Sequence, residues 1–284
     1  TAPAFATGST WFVTGGLGGV GYELARHLAT TYAANLVIAT TEPVPEGVER
    51  ERFLLEHALD HPTARRIRRL AALEALGTKV VTVTADTTDA RQLHDALDRA
   101  EQLVGPLDGA IHAAGRLRDR LIETSTPEDA RFVVDPKVNG ALALTDELER
   151  RGARTLVLIT STSPTLAPEG QLAYVAANAG LDATAGRHGD LRVATLGFGL
   201  WSDTGMAADT AHRAALGLPE GSSIDHPVLG EIGRDERGTI TVSGRIDARH
   251  HWVVDEHRTT ADVAILPGTG HLELFVAAAR AAGH

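Results

Sequence analysis

The chain has 284 residues, a formal net charge of −10, about 43% apolar residues and no cysteine. That length fits one large α/β domain plus a smaller piece; the acidic balance speaks against a nucleic-acid partner, and the lack of cysteine excludes disulfides and thiolate metal sites, so no metal is expected. No apolar run approaches the roughly 18 residues that span a bilayer and no charged-then-apolar leader opens the chain, so a cytoplasmic protein without a membrane partner is expected. Thr1 stands where a complete chain would carry Met, and the sequence reads as a segment of something longer.

Thr10 to Val13 (TWFV) reads as a first strand, followed by a glycine-rich run and a helix through YELARHLATTY. Asn35 to Ala39, Lys79 to Thr84, Leu107 to His112, Thr155 to Ile159 and Leu191 to Leu196 read as five further strands. Helices are predicted before the third strand, with Leu70, Leu73 and Leu76 on one face, and over 90–103, 127–150 and 171–188. The charged stretch 46–52 and the arginines of 65–69 read as solvated helix faces. This alternation predicts a Rossmann-type, doubly wound parallel sheet covered by helices on both faces. The rhythm stops near Met206, and 207–224 reads as loop and short helix. Beyond Asp225 the texture changes: Thr239 to Ser243 alternates like a strand, and a Leu-Pro-Gly turn at 266–268 leads into an apolar helix. Two domains are expected, 1–222 and 223–284, the second a short α+β segment.

The run Thr14-Gly15-Gly16-Leu17-Gly18-Gly19-Val20-Gly21 follows a strand and opens a helix. Glycine there permits a tight turn, and the helix N-terminus favours the negative charge of a pyrophosphate. The second strand should end beside the adenosine ribose, and here it ends Ala39-Thr40-Thr41-Glu42 with no cation. Glu42 either bonds a free ribose hydroxyl or points to solvent, and the arginines at 65, 66, 68 and 69 are the basic groups able to compensate from the next helix. Asp86, after the third strand, suits an adenine amino group, whereas Asp89 suits a helix N-cap better. The small residues Ala113-Ala114-Gly115 let the backbone pass close to a cofactor. His112 before them, at the end of a buried strand, reads as structural rather than catalytic.

Ser161 follows the fifth strand, Tyr174 comes thirteen residues later, and Asn178 shares a helix face with Tyr174. Lys137 lies upstream. Carbonyl reduction needs a hydride, which a nicotinamide supplies, and a proton, for which Tyr174 is the candidate donor. A free phenol has a pKa of about 10, and the Lys137 ammonium would favour its phenolate while also bonding the nicotinamide ribose. Ser161 can hold the substrate oxygen, and Asn178 can anchor water or the lysine.

These residues resemble short-chain dehydrogenases/reductases and, more narrowly, the ketoreductase domains of modular polyketide synthases. Members of the superfamily ordinarily place lysine four positions after the tyrosine; here Asn178 stands there and Lys137 lies earlier, an exchange typical of the polyketide ketoreductases. The stretches at 111–119, 135–148, 170–183 and 196–207 carry the same resemblance. It implies NADPH as cofactor, along Thr14, Gly15, Leu17, Gly18, Gly19, Thr41, Asp86, Thr87, Ala113 to Gly115, Lys137, Tyr174, Phe198 and Gly199. It implies a β-ketoacyl substrate on the phosphopantetheine arm of an acyl carrier protein, and neighbouring synthase domains as partners. Thr41 replaces the family's usual arginine, which leaves NADH open as the cofactor. The family's Leu-Asp-Asp signature stands here as Leu117-Arg118-Asp119, and Leu166 stands where tryptophan marks the opposite class; both point to a D-hydroxy product. Residues about 225–284 resemble the start of a polyketide synthase dehydratase, a hotdog fold, with His226-Pro227-Val228-Leu229 as its opening and His257 as its catalytic histidine. Two other readings stay open: a non-reducing scaffold that positions the dehydratase, and a stand-alone reductase of small ketones.

Overall fold

The computed structural model describes residues 5–58, 61–199, 221–224, 226–234, 240–244, 246 and 268–282. They fall into two compact units, one from 1–43 and 69–208, the other from 44–68 and 209–284. The strands are β1 Thr10–Thr14, β2 Asn35–Thr40, β3 Val80–Thr84, β4 Gly109–His112, β5 Thr155–Ser161, β6 Gly186–His188, β7 Leu191–Phe198, β8 Gly221–Ser223, β9 Leu229–Arg234 and β10 Ile240–Gly244. The helices are α1 Gly19–Tyr32, α2 Gly47–Glu56, α3 Pro62–Glu74, α4 Ala90–Val104, α5 Pro127–Val134, α6 Gly140–Arg151, α7 Ser163–Leu166, α8 Leu172–Ala183 and, after β10, α9 Gly268–Ala281.

The first unit carries a seven-stranded sheet in the order β3-β2-β1-β4-β5-β7-β6. β1, β2, β4 and β5 are buried along nearly their whole length, which is why they read as continuous apolar runs rather than as alternation. Residues of α4, α6 and α8, among them Leu93, Leu97, Leu144, Leu148 and Leu181, join Phe12, Ala110, Leu156 and Leu158 in one buried core. Leu24 and Leu28 of α1 face Ile111 and Val157. The winding reverses between β1 and β4, and in open parallel sheets ligands bind outside the carboxyl ends of the strands at such a reversal.

Four expectations need correction. The helix read over 127–150 is broken by a π turn at Asp135–Asn139. Pro136 has no N–H and its ring crowds the carbonyl one turn back, so the chain widens there. The helix read over 171–188 stops at Ala183, and Gly186–His188 pairs antiparallel with β7; Gly189, at φ +58°, makes the turn between them. Leu76 lies past the end of α3 and is exposed, whereas Leu70 and Leu73 are buried. Nor do the arginines of 65–69 form a solvated face, since all four are half-buried.

α4 and α6 are clasped by charge. Arg151 bonds Asp98 and Glu101 at 2.7 Å and Glu147 at 3.1 Å, and His94 lies 3.2 Å from Glu147. Burial pushes the Glu147 carboxyl up, but its bonds to His94, Arg150 and Arg151 outweigh that and hold it below the ordinary range. Its stability contribution is therefore present above the unfolded value and lost as pH falls through the folded one. Glu147→Gln is expected to cost about 1–3 kcal/mol and to flatten the acid dependence, read by urea melts at pH 7 and at pH 3.5.

The second unit holds an antiparallel sheet in the order β10-β9-β8 and the helix α9. The strand expected at 239–243 corresponds to β10; β8 and β9 were not legible as strands. His226 Nδ1 accepts from the backbone N–H groups of Val228 and Leu229 at 3.1 Å, closing the turn that leads into β9. His257 lies outside the described residues.

Candidate active site

The glycine turn is packed against the loop that follows β4. Gly15 has φ +67°, and a Cβ on it would lie 2.6 Å from the Ala113 carbonyl oxygen; one on Gly21 would lie 2.3 Å from the Gly15 oxygen. Neither position admits a side chain, so the turn hugs Ala113 and Ala114. Gly18 caps α1 without a side-chain hydrogen bond, and the first turn has no acidic residue. The helix N-terminus is thus left to an external anion, and this chemistry fits a pyrophosphate between Gly15 and Gly19.

Thr41 and Glu42, at the end of β2, are exposed; Thr40 Oγ1 closes their turn by donating to the Glu42 carbonyl at 2.8 Å. Asp86 accepts from the backbone and the hydroxyl of Thr88, at 2.9 and 2.7 Å, both on Oδ1. Asp89 caps α4, accepting from the N–H groups of Arg91 and Gln92. Thr87 is buried beneath Gly140. Arg69 of α3 donates from Nη1 to the Leu17 carbonyl at 2.9 Å, and its guanidinium carbon lies 5.2 Å from the centre of the Tyr22 ring.

His112 is fully buried. Its Nε2 lies 3.0 and 3.1 Å from the carbonyls of Pro136 and Lys137, and its Nδ1 2.8 Å from Thr14 Oγ1. Carbonyls only accept, so Nε2 carries the hydrogen and Nδ1 accepts from the threonine. Burial, helped by the Lys137 charge, pushes the ring down to about 4, and it stays neutral. The imidazole thus ties the glycine turn to the π turn that bears Lys137.

Lys137 runs beneath Gly115, where a Cβ would come within 3.1 Å of Cε. Its Nζ donates to the Ile159 carbonyl at 2.8 Å and to Asn178 Oδ1 at 3.0 Å, and lies 5.8 Å from the centre of the Tyr174 ring. Asn178, fully buried on α8, donates from Nδ2 to the Tyr174 carbonyl at 2.8 Å and to Ser163 Oγ at 3.5 Å. Ser161 Oγ accepts from the Ser163 N–H at 3.1 Å at the end of β5. Burial brings the Lys137 ammonium down to about 8, against a smaller upward pull from Asp182. Ser161, Tyr174, Asn178 and Lys137 therefore meet in one place, reached from β5, α8 and the π turn. Phe198 pairs with Ser161 in the sheet, and Gly199 follows it, exposed.

Asp119 accepts from Gln171 Nε2 at 2.8 Å, and the Arg120 N–H bonds the Gly170 carbonyl at 2.8 Å. The loop after β4 is thereby fastened to the start of the helix that carries Tyr174. Arg118 turns away: it lies 3.9 Å over the Phe132 ring and 3.2 Å from Asp129, which also pairs with Arg120 at 3.2 Å. Gln171 escapes a reading of the sequence because its partner lies on another segment, as do Arg118 and Arg120 for Asp129, whose capping box with Thr126 is local. Leu166, at the end of α7, is 70% exposed. Among the described residues, no three His, Cys, Asp or Glu side chains gather as a metal site, and no helix is long and apolar enough to cross a membrane.

Comparison with known proteins agrees with this geometry. The KR domain family matches residues 9–203, and the polyketide synthase dehydratase domain matches 226–284. The chain is 32% identical over 221 residues, 75% of its length, to 6-methylsalicylic acid synthase of Aspergillus terreus. It is 29% identical over 203 residues, 70% of its length, to polyketide synthase PksM of Bacillus subtilis. It spans only 12% and 4% of these two relatives. Its fold is similar to the crystal structure of a ketoreductase domain from the bacillaene assembly line, with a TM-score of 0.59 and 23% identity over 80% of this chain and 52% of that one. The chain belongs to the KR domain family, the nicotinamide-dependent ketoreductase domains of polyketide synthases, and runs on into a dehydratase N-terminal region.

Proposed function

We propose that this chain reduces a β-ketoacyl thioester to the β-hydroxyacyl thioester with NADPH. The acyl group is carried on the phosphopantetheine arm of an acyl carrier protein, and neighbouring synthase domains are further partners. The observation that carries this reading is the buried Lys137 ammonium, held by the Ile159 carbonyl and the Asn178 amide beside the Tyr174 ring. The glycine turn and the first turn of α1 would hold the pyrophosphate, Thr14 and Ala113 to Gly115 would line the dinucleotide, and Lys137 would bond the ribose. When bound, the reduced nicotinamide supplies the hydride to the carbonyl carbon. Tyr174 gives its phenolic proton to the carbonyl oxygen, and Ser161 donates a hydrogen bond to that oxygen as charge develops there. The Lys137 ammonium favours the phenolate left behind. Asn178 acts through the lysine and the α8 backbone.

Asp119, held by Gln171, is the residue that the family resemblance assigns to the substrate side, and it supports a D-hydroxy product. In that class Leu166 replaces a tryptophan. Steady-state oxidation of NADPH with a carrier-bound β-ketoacyl thioester, followed by chiral analysis of the product, tests the reading. The rate is expected to fall as pH rises through about 8, where Lys137 loses its charge. Turnover of free ketones but not of the carrier-bound thioester would instead mark a stand-alone reductase. The exposed Thr41, in place of a cation, favours a second reading, a scaffold that binds no cofactor. Calorimetric titration showing no binding of NADPH or NADH at millimolar concentration would establish it.

A further inference from the structure

We infer that Arg116 and Arg118, packed on one phenyl ring, form a phosphate seat beside the site, and that its occupant is the phosphodiester of the pantetheine arm on which the substrate arrives. This rests on the carrier-bound reading above. The loop after β4 runs across the site and is fixed at both ends. Gly115 packs on Lys137, where a Cβ would come within 3.1 Å of Cε. Asp119 and Arg120 are bonded to Gln171 and Gly170, just ahead of the helix that carries Tyr174. Arg116, Leu117 and Arg118 lie between these anchors. The six residues 115–120 hold three arginines and one carboxylate, a basic stretch in a chain whose net charge is −10.

Phe132 of α5 gathers two of these cations. The guanidinium carbons of Arg116 and Arg118 lie 5.0 and 3.9 Å from the centre of its ring. Like charges brought to one ring repel unless an anion answers them. Asp129 answers Arg118 and Arg120, each at 3.2 Å, and Asp119 is committed to Gln171. Among the described residues no carboxylate or carbonyl bonds Arg116; its partner is the ring. The cluster is thus one negative charge short, the charge of a phosphodiester. Arg116 is half-buried, which strengthens its pull on an anion, and the ring restrains it, so less side-chain freedom is lost when the anion arrives. Its five N–H donors form a fork that matches phosphate oxygens. A phosphate separated from the reacting carbonyl by the whole arm belongs outside the group around Tyr174, and the ring of Phe132 provides such a place.

The test uses two probes that differ only by the phosphate, 4′-phosphopantetheine and pantetheine, with binding measured by calorimetry on the intact chain. The wild type is expected to prefer the phosphorylated probe by about tenfold or more, the worth of a charge-assisted bond to phosphate. Arg116→Gln should bring that preference to within about threefold of unity while pantetheine affinity stays put. Arg116→Lys should keep part of it, and Arg116→Glu should reverse it. The acetoacetyl thioesters of the two probes, reduced with NADPH, should show the same pattern in kcat/KM. An undiminished preference in Arg116→Gln would overturn the inference. So would a loss of NADPH affinity in that variant with the pantetheine preference intact, which marks a cofactor contact, or an equal collapse of pantetheine binding, which marks a structural arginine. Turnover of both thioesters without any preference for the phosphorylated probe breaks this inference and spares the reductase reading. A preference that Arg116→Gln abolishes, in a chain that reduces neither thioester, upholds the seat and breaks the reductase reading.

Discussion

Tyr174→Phe is expected to slow reduction of a β-ketoacyl thioester by about a hundred- to ten-thousand-fold, the usual worth of a positioned general acid. The substitution removes one oxygen and little else. Asn178 bonds the Tyr174 backbone carbonyl, not its hydroxyl, so the α8 anchor persists. The ring face that Nζ of Lys137 approaches at 5.8 Å also persists. Dinucleotide binding should therefore stay within about twofold and the fold should melt as before, leaving turnover as the quantity that moves. Equal turnover in the two proteins would show that the proton comes from another group.

Lys137→Met should produce a second large loss, about a hundredfold or more in turnover, with almost no change in stability. Burial lowers the ammonium from 10.5 to about 8. Because the folded value lies below the unfolded one, stability falls as pH drops from 10.5 towards 8, and near neutrality the full cost of ~3 kcal/mol is present. Methionine removes that cost but leaves the Ile159 carbonyl and Asn178 Oδ1 without their donor, roughly 1–1.5 kcal/mol each. The two effects nearly cancel, so the melting midpoint should move by no more than about 4 °C. The fall in rate above pH 8 should also vanish. A melting point lowered by ten degrees or more would assign the lysine a structural role instead.

The strands, the glycine turn and the spacing of Ser161, Tyr174 and Asn178 were legible because each is written in consecutive residues with one period. Lys137 was legible as a resemblance, but its place was not. It sits on a π turn inside what reads as an unbroken helix, and only Pro136 marks the interruption. The hairpin at Gly186–His188 hides behind a helix-like run, and two glycines at positive φ, Gly186 opening the strand and Gly189 in the turn, carry the signal. The bonds Asp119–Gln171 and Arg69–Leu17 each join residues 52 positions apart, a pairing that no local pattern encodes. The arginines of 65–69 could be named as candidates but not sorted, since a helical face shows which side chains point together and not what they meet.

His112 has one more consequence. It joins Thr14 to the turn that bears Lys137 by an imidazole that holds one proton on Nε2 and, at about 4, takes up no second near neutrality. The seam between the nucleotide loop and the lysine therefore passes on displacement and relays no proton. A shift of the glycine turn can be felt at Lys137 as a tug on its backbone, while the lysine charge acts back on the imidazole only to keep it neutral. The two halves of the site are mechanically geared through a ring that does not titrate near neutrality.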